Sequence, residues 1–225
     1  MKSKSKSKNK LTLAYETFLP RWSYPYFRRL LSIHRTYGNI LLKRFWSEEW
    51  IERLKNSNNP WKPIDEATAR PKHIPSRVWR NICLTVGSVL KSSAERKDLI
   101  EKLLAKPHLI DAPAHKAVKE LGYDRLFVEN VQEQLRNYRA KHGKLPGSFF
   151  ELGVPRLKGI EFPTGADDSI GNGQFKKLQI ANGRYYLKIK LPVTWRKWRW
   201  FTIEGAVPKS VLAHLETVQS FLRRP

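Results

Sequence analysis

A change of hydrophobic periodicity near residue 144 constrains the fold more than any other feature of the sequence. Between residues 21 and 143, apolar side chains recur at intervals of three and four, which is typical of helices that bury one face. From residue 144 onward, the chain holds most of its glycines and three short runs in which apolar and polar residues alternate, as in strands. The two patterns in succession predict an α+β protein, a helical bundle followed by a small antiparallel β-barrel.

Composition divides the chain further. Residues 1–10 contain lysines separated by Ser and Asn, which predicts a disordered basic arm. Residues 11–20 alternate and predict a strand that joins the barrel. We expect a helical lobe over residues 21–143, and over residues 144–225 the barrel domain with a C-terminal helix that begins at Pro208.

Hydrophobic spacing and capping residues predict where the helices of the lobe begin and end. The first helix starts near Tyr24 and continues for about thirty residues, with a break near Ser47. Residues 75–105 form a second long helix or a helix pair. Gly122 and Gly143 each follow a helical segment and are predicted C-caps.

Charge indicates the class of partner. The chain has 43 Lys and Arg against 20 Asp and Glu, a formal net charge of +23. A folded chain with this excess repels itself unless a polyanion neutralises it, and nucleic acid is the leading partner. An apolar fraction of 40% and eight tryptophans argue against a chain that is disordered as a whole, because burial of these groups offsets the entropy lost on ordering.

The sequence lacks the usual signatures of catalysis. It has no phosphate-binding loop ending in GK[ST], no HExxH and no GxSxG motif. Its six histidines are scattered, which favours surface or capping roles for them. Asp167 and Asp168 lie in a glycine-rich turn, which favours a loop over a metal site. We therefore predict no catalytic residues, no metal and no cofactor.

The cysteine content and the lack of long apolar segments predict where the protein is located and which covalent cross-links it lacks. The single cysteine, Cys83, excludes an intramolecular disulfide and a CxxC zinc ribbon, and its apolar surroundings predict a small core residue. No apolar run approaches the roughly 20 residues needed to span a bilayer. The N-terminus lacks the apolar region of a secretory signal, so we predict a cytoplasmic protein with no membrane partner.

The densest mixture of basic and aromatic residues lies between residues 181 and 203. A strand over residues 184–191 places four apolar side chains on one face and leaves Tyr186, Lys188 and Lys190 on the other. The apolar face predicts a core, and the opposite face predicts a cationic and aromatic strip.

Three tryptophans follow this strand, Trp195, Trp198 and Trp200, and the period alone leaves open which of them is buried. Aromatic rings stack on bases while Lys and Arg neutralise phosphates, so the mixture suits nucleic acid. The same mixture suits a membrane interface. Nucleic acid is favoured, since basic residues occur throughout both the helical and the strand-rich parts.

Four segments resemble the transposon-encoded TnpB nucleases and the type V CRISPR effectors. The segments are "YFRRLLSIHRTYGNILLKRFW", "IPSRVWRNICLTVGSVLKS", "NGRYYLKIKLP" and "VPKSVLAHLE". They are similar to the family's first recognition helix, to the helix after it, to a strand of the wedge barrel and to the short helix that closes the barrel. The resemblance spans nearly all of residues 11–225 and corresponds to the N-terminal half of those nucleases.

The resemblance implies a module that holds a guide-type RNA and its heteroduplex with a DNA target. In the family, a RuvC-like domain with an Asp, Glu and Asp metal site follows the barrel, whereas this sequence ends at "FLRRP". The resemblance therefore implies a non-catalytic part of the complex, with a separate nuclease-domain polypeptide as a candidate partner. Two alternatives stay open: a structural, ribosome-associated RNA-binding protein, and an enzyme whose catalytic residues show no known motif.

The predicted nucleic-acid-binding residues are basic or aromatic side chains of the first two long helices and of the strand-rich part. They are Arg28, Arg29, Arg35, Lys43, Arg44, Arg77, Arg80, Lys176, Lys177, Arg184, Tyr186, Lys188, Lys190, Trp195, Arg196, Lys197, Trp198 and Arg199.

Overall fold

Helices account for most of the chain that the computed structural model describes, which is residues 20–158, 176–207 and 209. The N-terminal basic arm, nearly all of the strand predicted before Pro20, and the turn with Asp167 and Asp168 lie outside these residues. The predicted C-terminal helix also lies outside them, apart from Lys209. The α+β class is confirmed.

Seven α-helices occur in residues 20–158. They are α1 (Tyr24–Phe45), α2 (Glu48–Lys55), α3 (Trp61–Glu66), α4 (Ser76–Ala105), α5 (His108–Asp111), α6 (Ala114–Leu121) and α7 (Arg125–His142). Short 3-10 turns precede α1 and follow α7, at Arg21–Ser23 and Phe149–Leu152.

The predicted helix boundaries are confirmed by their caps. The Ser47 hydroxyl accepts a hydrogen bond from the Trp50 N–H, so the break after α1 is the N-cap of α2. Residues 76–105 form one continuous helix instead of a pair. Gly122 and Gly143 have φ of 76° and 73° and end α6 and α7 in the left-handed conformation that glycine adopts without strain.

The apolar side of α4 forms the centre of the helical core. Its side chains Ile82, Val86 and Leu90 are fully buried, and α2, α3 and α7 all pack against this helix. Each such side chain contributes about 1.5–3 kcal/mol when it is removed from water. A helix of 30 residues with one apolar side thus holds several shorter helices that would be marginal alone.

Two buried residues of this core test the sequence analysis. Cys83 is fully buried, as predicted, and burial raises the pKa of its thiol to about 12. The prediction of a surface or capping role is wrong for His34, which is 1% exposed. Its Nε2 lies 3.5 Å from the Asn81 amide, and burial lowers its pKa to about 4.

Three antiparallel strands form a meander in the order β1, β2, β3, with bounds β1 (Lys176–Ala181), β2 (Arg184–Pro192) and β3 (Trp198–Ala206). Asn182 and Gly183 join β1 to β2, and both have positive φ, as a two-residue hairpin turn requires. The three predicted alternating runs are therefore strands.

The predicted β-barrel is not closed. In the described part of the sheet, β1 and β3 are both edges, because only β2 has two neighbours. Three strands of six to nine residues cannot curve far enough to pair their outer edges. This part of the chain is an open sheet with one buried face.

The chain divides into two compact units, residues 31–164 and residues 1–30 with 165–225. The boundary crosses α1, whose first turns group with the sheet. The domain ranges predicted from the sequence instead assign α1 wholly to the helical lobe and residues 144–158 to the barrel. These domain boundaries stay a prediction. In the structure, Phe149 packs on Trp46 of the helical unit, with ring centroids 5.4 Å apart.

Candidate nucleic-acid interface

The pairing of β2 with β3 brings cationic and aromatic side chains together on one side of the sheet. Lys190 lies directly opposite Trp200, and the Lys188 Nζ is 5.8 Å from the centroid of the Trp200 ring. Residues opposed in this way share a face of the sheet. We call this side of the sheet the sheet face. The residues of β2 and β3 that define it are Arg184, Tyr186, Lys188, Lys190, Trp198 and Trp200.

The other side of the sheet is apolar, as the alternation predicts. Tyr185, Ile189 and Leu191 of β2 are buried, and so is Ile203 of β3. Arg199 pairs with Leu191 and is exposed, so it lies on the opposite side from Lys190. Arg199 therefore does not belong to the sheet face, although the sequence grouped it with those residues.

The three tryptophans differ in burial. Trp195 is 43% exposed and Trp200 is 40% exposed, whereas Trp198 is half-buried. The Trp198 Nε1 is buried and makes no hydrogen bond within the described ranges. Since a large aromatic side chain is usually covered, two exposed indoles so close in sequence are a candidate for contact with a ligand.

Residues 193–197, which we call the tip turn, connect β2 to β3 with a defined hydrogen-bond pattern. The backbone N–H groups of Val193 and Thr194 donate to the Lys197 carbonyl, at 2.8 and 3.2 Å. The Thr194 Oγ1 accepts from the N–H groups of Arg196 and Lys197, at 3.3 and 3.0 Å. These bonds fix the backbone while the side chains of Trp195, Arg196 and Lys197 remain exposed.

Arg29 has a structural role in addition to the predicted nucleic-acid contact, which stays a prediction. Its guanidinium donates to the carbonyl oxygens of Pro192, at 3.3 Å, and Val193. The side chain is half-buried, and its hydrogen bonds hold the start of the tip turn against α1. Arg28, its neighbour in α1, is exposed.

Several predicted cations of the helical unit are also held by backbone carbonyls. Arg35 donates to the Lys158 carbonyl, and Arg44 donates to the Ala67 carbonyl at 3.4 Å. The Arg80 guanidinium lies 4.2 Å from the centroid of the Trp61 ring, within the range of a cation–π interaction. None of these contacts removes the positive charge, and all three side chains belong to exposed residues.

The segment between α3 and α4 lies beside the second half of α1 and adds cations that the sequence analysis missed. The Tyr37 hydroxyl is 3.1 Å from the His73 Nε2, which joins the two elements. Arg70 and Lys72 in this segment are exposed. The sequence does indicate a basic segment here, because residues 67–94 contain no acidic residue. The side chains of Arg70 and Lys72 could not be placed from it, because a loop with several prolines has no periodicity.

The remaining predicted residues are placed individually. Lys43 is exposed and Arg77 is half-buried in the helical unit, whereas Lys190 and Tyr186 are half-buried on the sheet face. For Lys176 and Lys177 the structure gives only the backbone pairing of β1, in which Lys177 lies opposite Lys188.

Internal ion pairs are concentrated in residues 48–139. The pairs there are Lys55–Glu52, Lys62–Glu66, Lys97–Glu48, Lys97–Glu101, Lys102–Asp98, Lys106–Glu120, Arg125–Glu129 and Arg139–Asp111. We call these side chains the paired helical surface. Its hydrogen bonds perturb the carboxyl groups, since Arg139 lowers the pKa of Asp111 and Lys106 lowers that of Glu120.

The predicted nucleic-acid-binding residues are mostly unmatched by carboxylates. Among those whose side chains the structure describes, Arg184 alone forms an ion pair, with Glu204 at 3.4 Å. Glu204 is the single acidic residue between residues 176 and 207, against eight Lys and Arg. The single carboxylate of this segment therefore offsets only a small part of its positive charge.

Other kinds of site are not evident in the described ranges. No group of three or more His, Cys, Asp or Glu side chains there is arranged to hold a metal ion. No helix in residues 20–158 has both the length and the hydropathy needed to cross a membrane. Comparison of the chain with protein-family models, with curated proteins and with solved structures gives no match.

Proposed function

We propose that this chain binds RNA through its sheet face and tip turn and has no nuclease centre of its own. The observation that carries the proposal is the exposed side of β2 and β3, where Lys188 and Lys190 lie beside Trp200 and form no ion pair with a described carboxylate. Lysines supply phosphate contacts, and aromatic rings supply stacking that is worth about 1–3 kcal/mol per base.

RNA fits this surface better than duplex DNA does. Stacking on Trp195 or Trp200 requires a base whose face is free, and free bases are frequent in RNA loops, bulges and ends. Base-specific binding of duplex DNA needs a helix or a ribbon placed in the major groove. A sheet that exposes aromatic and cationic side chains on one side is a common platform for single-stranded RNA.

The helical unit contributes phosphate contacts in the proposal. Its exposed cations Arg35, Lys43, Arg44 and Arg80 lie on elements joined by the contacts between α1 and the segment before α4. Together with the resemblance to TnpB and type V effectors, these cations support a guide-type RNA and its heteroduplex with DNA as the cargo, in a cytoplasmic ribonucleoprotein. A separate polypeptide would supply cleavage.

The test compares two variants that lose the same charge. The first replaces four cations of the sheet face and tip turn by Gln: Lys188, Lys190, Arg196 and Lys197. The second replaces four ion-paired cations by Gln: Lys55, Lys102, Lys106 and Arg125.

Binding of a labelled single-stranded RNA of about 20 nucleotides is measured by fluorescence anisotropy at about 100 mM salt. We expect the first variant to lose affinity by about 100-fold or more and the second to stay within a few-fold of the wild type. Equal losses would contradict the proposal, because net charge alone would then explain binding.

The cargo and the chemistry have their own tests. Sequencing of RNA that co-purifies with the chain should give one small guide-type RNA, whereas ribosomal RNA would favour the structural alternative. Incubation of the chain with RNA and DNA substrates and Mg²⁺ should give no cleavage. Robust Mg²⁺-dependent cleavage that tracks with the purified chain would overturn the non-catalytic part of the proposal.

A further inference from the structure

The tip turn is fixed more firmly than a connection at the end of a hairpin requires. The Thr194 Oγ1 accepts two backbone N–H groups, and the Lys197 carbonyl accepts two more. From outside the turn, the Arg29 guanidinium holds the carbonyls of Pro192 and Val193. The backbone that carries Trp195 is therefore ordered before any ligand binds.

Trp195 is the least expected residue at such a position. Its indole is 43% exposed and is followed directly by two exposed cations, Arg196 and Lys197. Nothing in the hydrogen bonding of the turn needs an indole, since the side chain of Thr194 and backbone groups make all of these bonds. A small polar residue would complete the same turn with less apolar surface in water.

We propose that Trp195 stacks on one unpaired nucleobase of the bound RNA, while Arg196 and Lys197 neutralise the phosphates on either side of that nucleotide. This inference rests on the proposed function and adds a selectivity to it. The chain prefers RNA with unpaired nucleotides over a continuous duplex of the same length and charge.

The preference follows from the base faces that each kind of RNA exposes to the Trp195 indole. In a continuous duplex, both faces of every internal base are covered by neighbouring base pairs, so only the phosphates are available. An unpaired nucleotide exposes a base face, and because the backbone of the turn is already fixed, only the side chain of Trp195 loses conformational entropy when it stacks there. The gain expected from one stacked base is about 5-fold or more in affinity.

The test uses two RNA duplexes with equal numbers of phosphates. In one, all positions are complementary; in the other, three central positions of one strand are changed so that they form an internal loop with a central 2-aminopurine. The full chain is titrated with each probe at about 100 mM salt. We expect the looped probe to bind at least about 5-fold more tightly and the 2-aminopurine fluorescence to be quenched on binding.

Variants at one position decide the role of the indole. Trp195→Ala and Trp195→Gln should each abolish the preference and the quenching while leaving affinity for the continuous duplex within about 2-fold, and Trp195→Phe should retain most of both. Trp22→Ala is the matched control, since Trp22 is 49% exposed and packs on Tyr26 and Phe201, which are not residues of the tip turn. If one Trp195 variant does not fold, the other gives the answer.

The outcomes separate this inference from the proposed function. Salt-dependent binding with equal affinity for the two probes would overturn the inference and leave RNA binding intact. A preference that persists in a folded Trp195→Ala or Trp195→Gln protein would also overturn the inference. Absence of binding to both probes would overturn the proposed function, and the inference with it.

Discussion

The paired helical surface and the sheet face are both rich in Lys and Arg, but they use these residues differently. On the paired helical surface, cations such as Lys102 and Lys106 lie 2.9 and 2.6 Å from carboxylates of the same chain. On the sheet face, Lys188 and Lys190 have aromatic neighbours instead, and Glu204 is the nearest source of negative charge along the strands. Within the described residues, the cations of the sheet face therefore have fewer carboxylate partners than those of the paired helical surface.

Paired and unpaired cations are expected to contribute differently to folding stability and to RNA binding. An exposed ion pair contributes about 0–1 kcal/mol to folding, and its cation is already neutralised. An unmatched cation contributes little to folding and keeps its full attraction for a phosphate. Substitutions on the paired helical surface should therefore change the free energy of unfolding, and substitutions on the sheet face and tip turn should change RNA affinity.

The largest expected effect on stability is the response of the helical region to acid. Burial lowers the pKa of His34 from its ordinary value of 6.5 to about 4. Above pH 6.5, the imidazole is neutral in both the folded and the unfolded chain. Between pH 6.5 and 4 only the unfolded chain takes up the proton, so this residue costs the fold a total of about 3 kcal/mol by pH 4.

Urea unfolding followed by circular dichroism at pH 7 and pH 4.5 measures this loss. A His34→Gln variant should lack the histidine contribution and should therefore lose less stability across the same pH range than the wild type. Equal losses in the two proteins would show that His34 is not held neutral in the core.

The next effect is the removal of a buried cation from the paired helical surface. Lys97 is buried, and its Nζ lies 2.8 Å from Glu48 and 3.3 Å from Glu101, contacts that raise its pKa. Lys97→Met should lower the free energy of unfolding by about 1–2 kcal/mol, because both carboxylates lose their partner. RNA affinity, measured by anisotropy, should stay within about 2-fold of the wild type. A large loss of affinity in the folded variant would contradict the assignment of RNA binding to unpaired cations.

A smaller effect is expected from loosening the tip turn. Thr194→Val removes the oxygen that accepts the N–H groups of Arg196 and Lys197, so the backbone of the turn must be ordered when RNA binds. RNA affinity should fall by about 3- to 5-fold. Thr85→Val is the control, since it removes a hydroxyl bonded to the Asn81 carbonyl within α4 and should leave affinity unchanged. Equal affinities of the two variants would indicate that the order of the turn does not matter.

The smallest effect has the opposite sign. Glu204→Gln removes the acidic residue that pairs with Arg184 at 3.4 Å, so the sheet face gains one net positive charge. RNA affinity should rise by about 2- to 3-fold at low salt. Glu120→Gln adds the same charge to the paired helical surface and should change affinity less. A larger gain from Glu120→Gln would contradict the assignment of binding to the sheet.

Local patterns in the sequence predicted the parts of the fold that depend on neighbouring residues. Alternation along β2 placed Lys188 and Lys190 on one side and Ile189 on the other, because successive side chains of a strand point to opposite faces. Ser47 and Gly143 marked helix ends, because a cap is a short-range hydrogen-bond or backbone requirement. Much of the sheet face could therefore be predicted from the sequence.

Contacts between distant residues could not be predicted in this way. Arg29 resembles any exposed cation of an amphipathic helix, and its carbonyl partner in Val193 is 164 positions away in the chain. His34 follows the helical period, but only the tertiary packing that puts it beside Asn81 determines that it is buried. The barrel was overpredicted for a related reason, since alternation identifies strands but does not fix how many of them pair.

The salt dependence of RNA affinity tests the central claim most directly. If unmatched cations of the sheet face, tip turn and helical unit neutralise about six or more phosphates, affinity of the wild-type chain should fall on the order of 10³-fold between about 50 and 200 mM salt. The logarithm of the binding constant should fall linearly with the logarithm of the salt concentration. A flat profile over the same range would show that phosphate is not the counter-charge of these cations and would contradict the account.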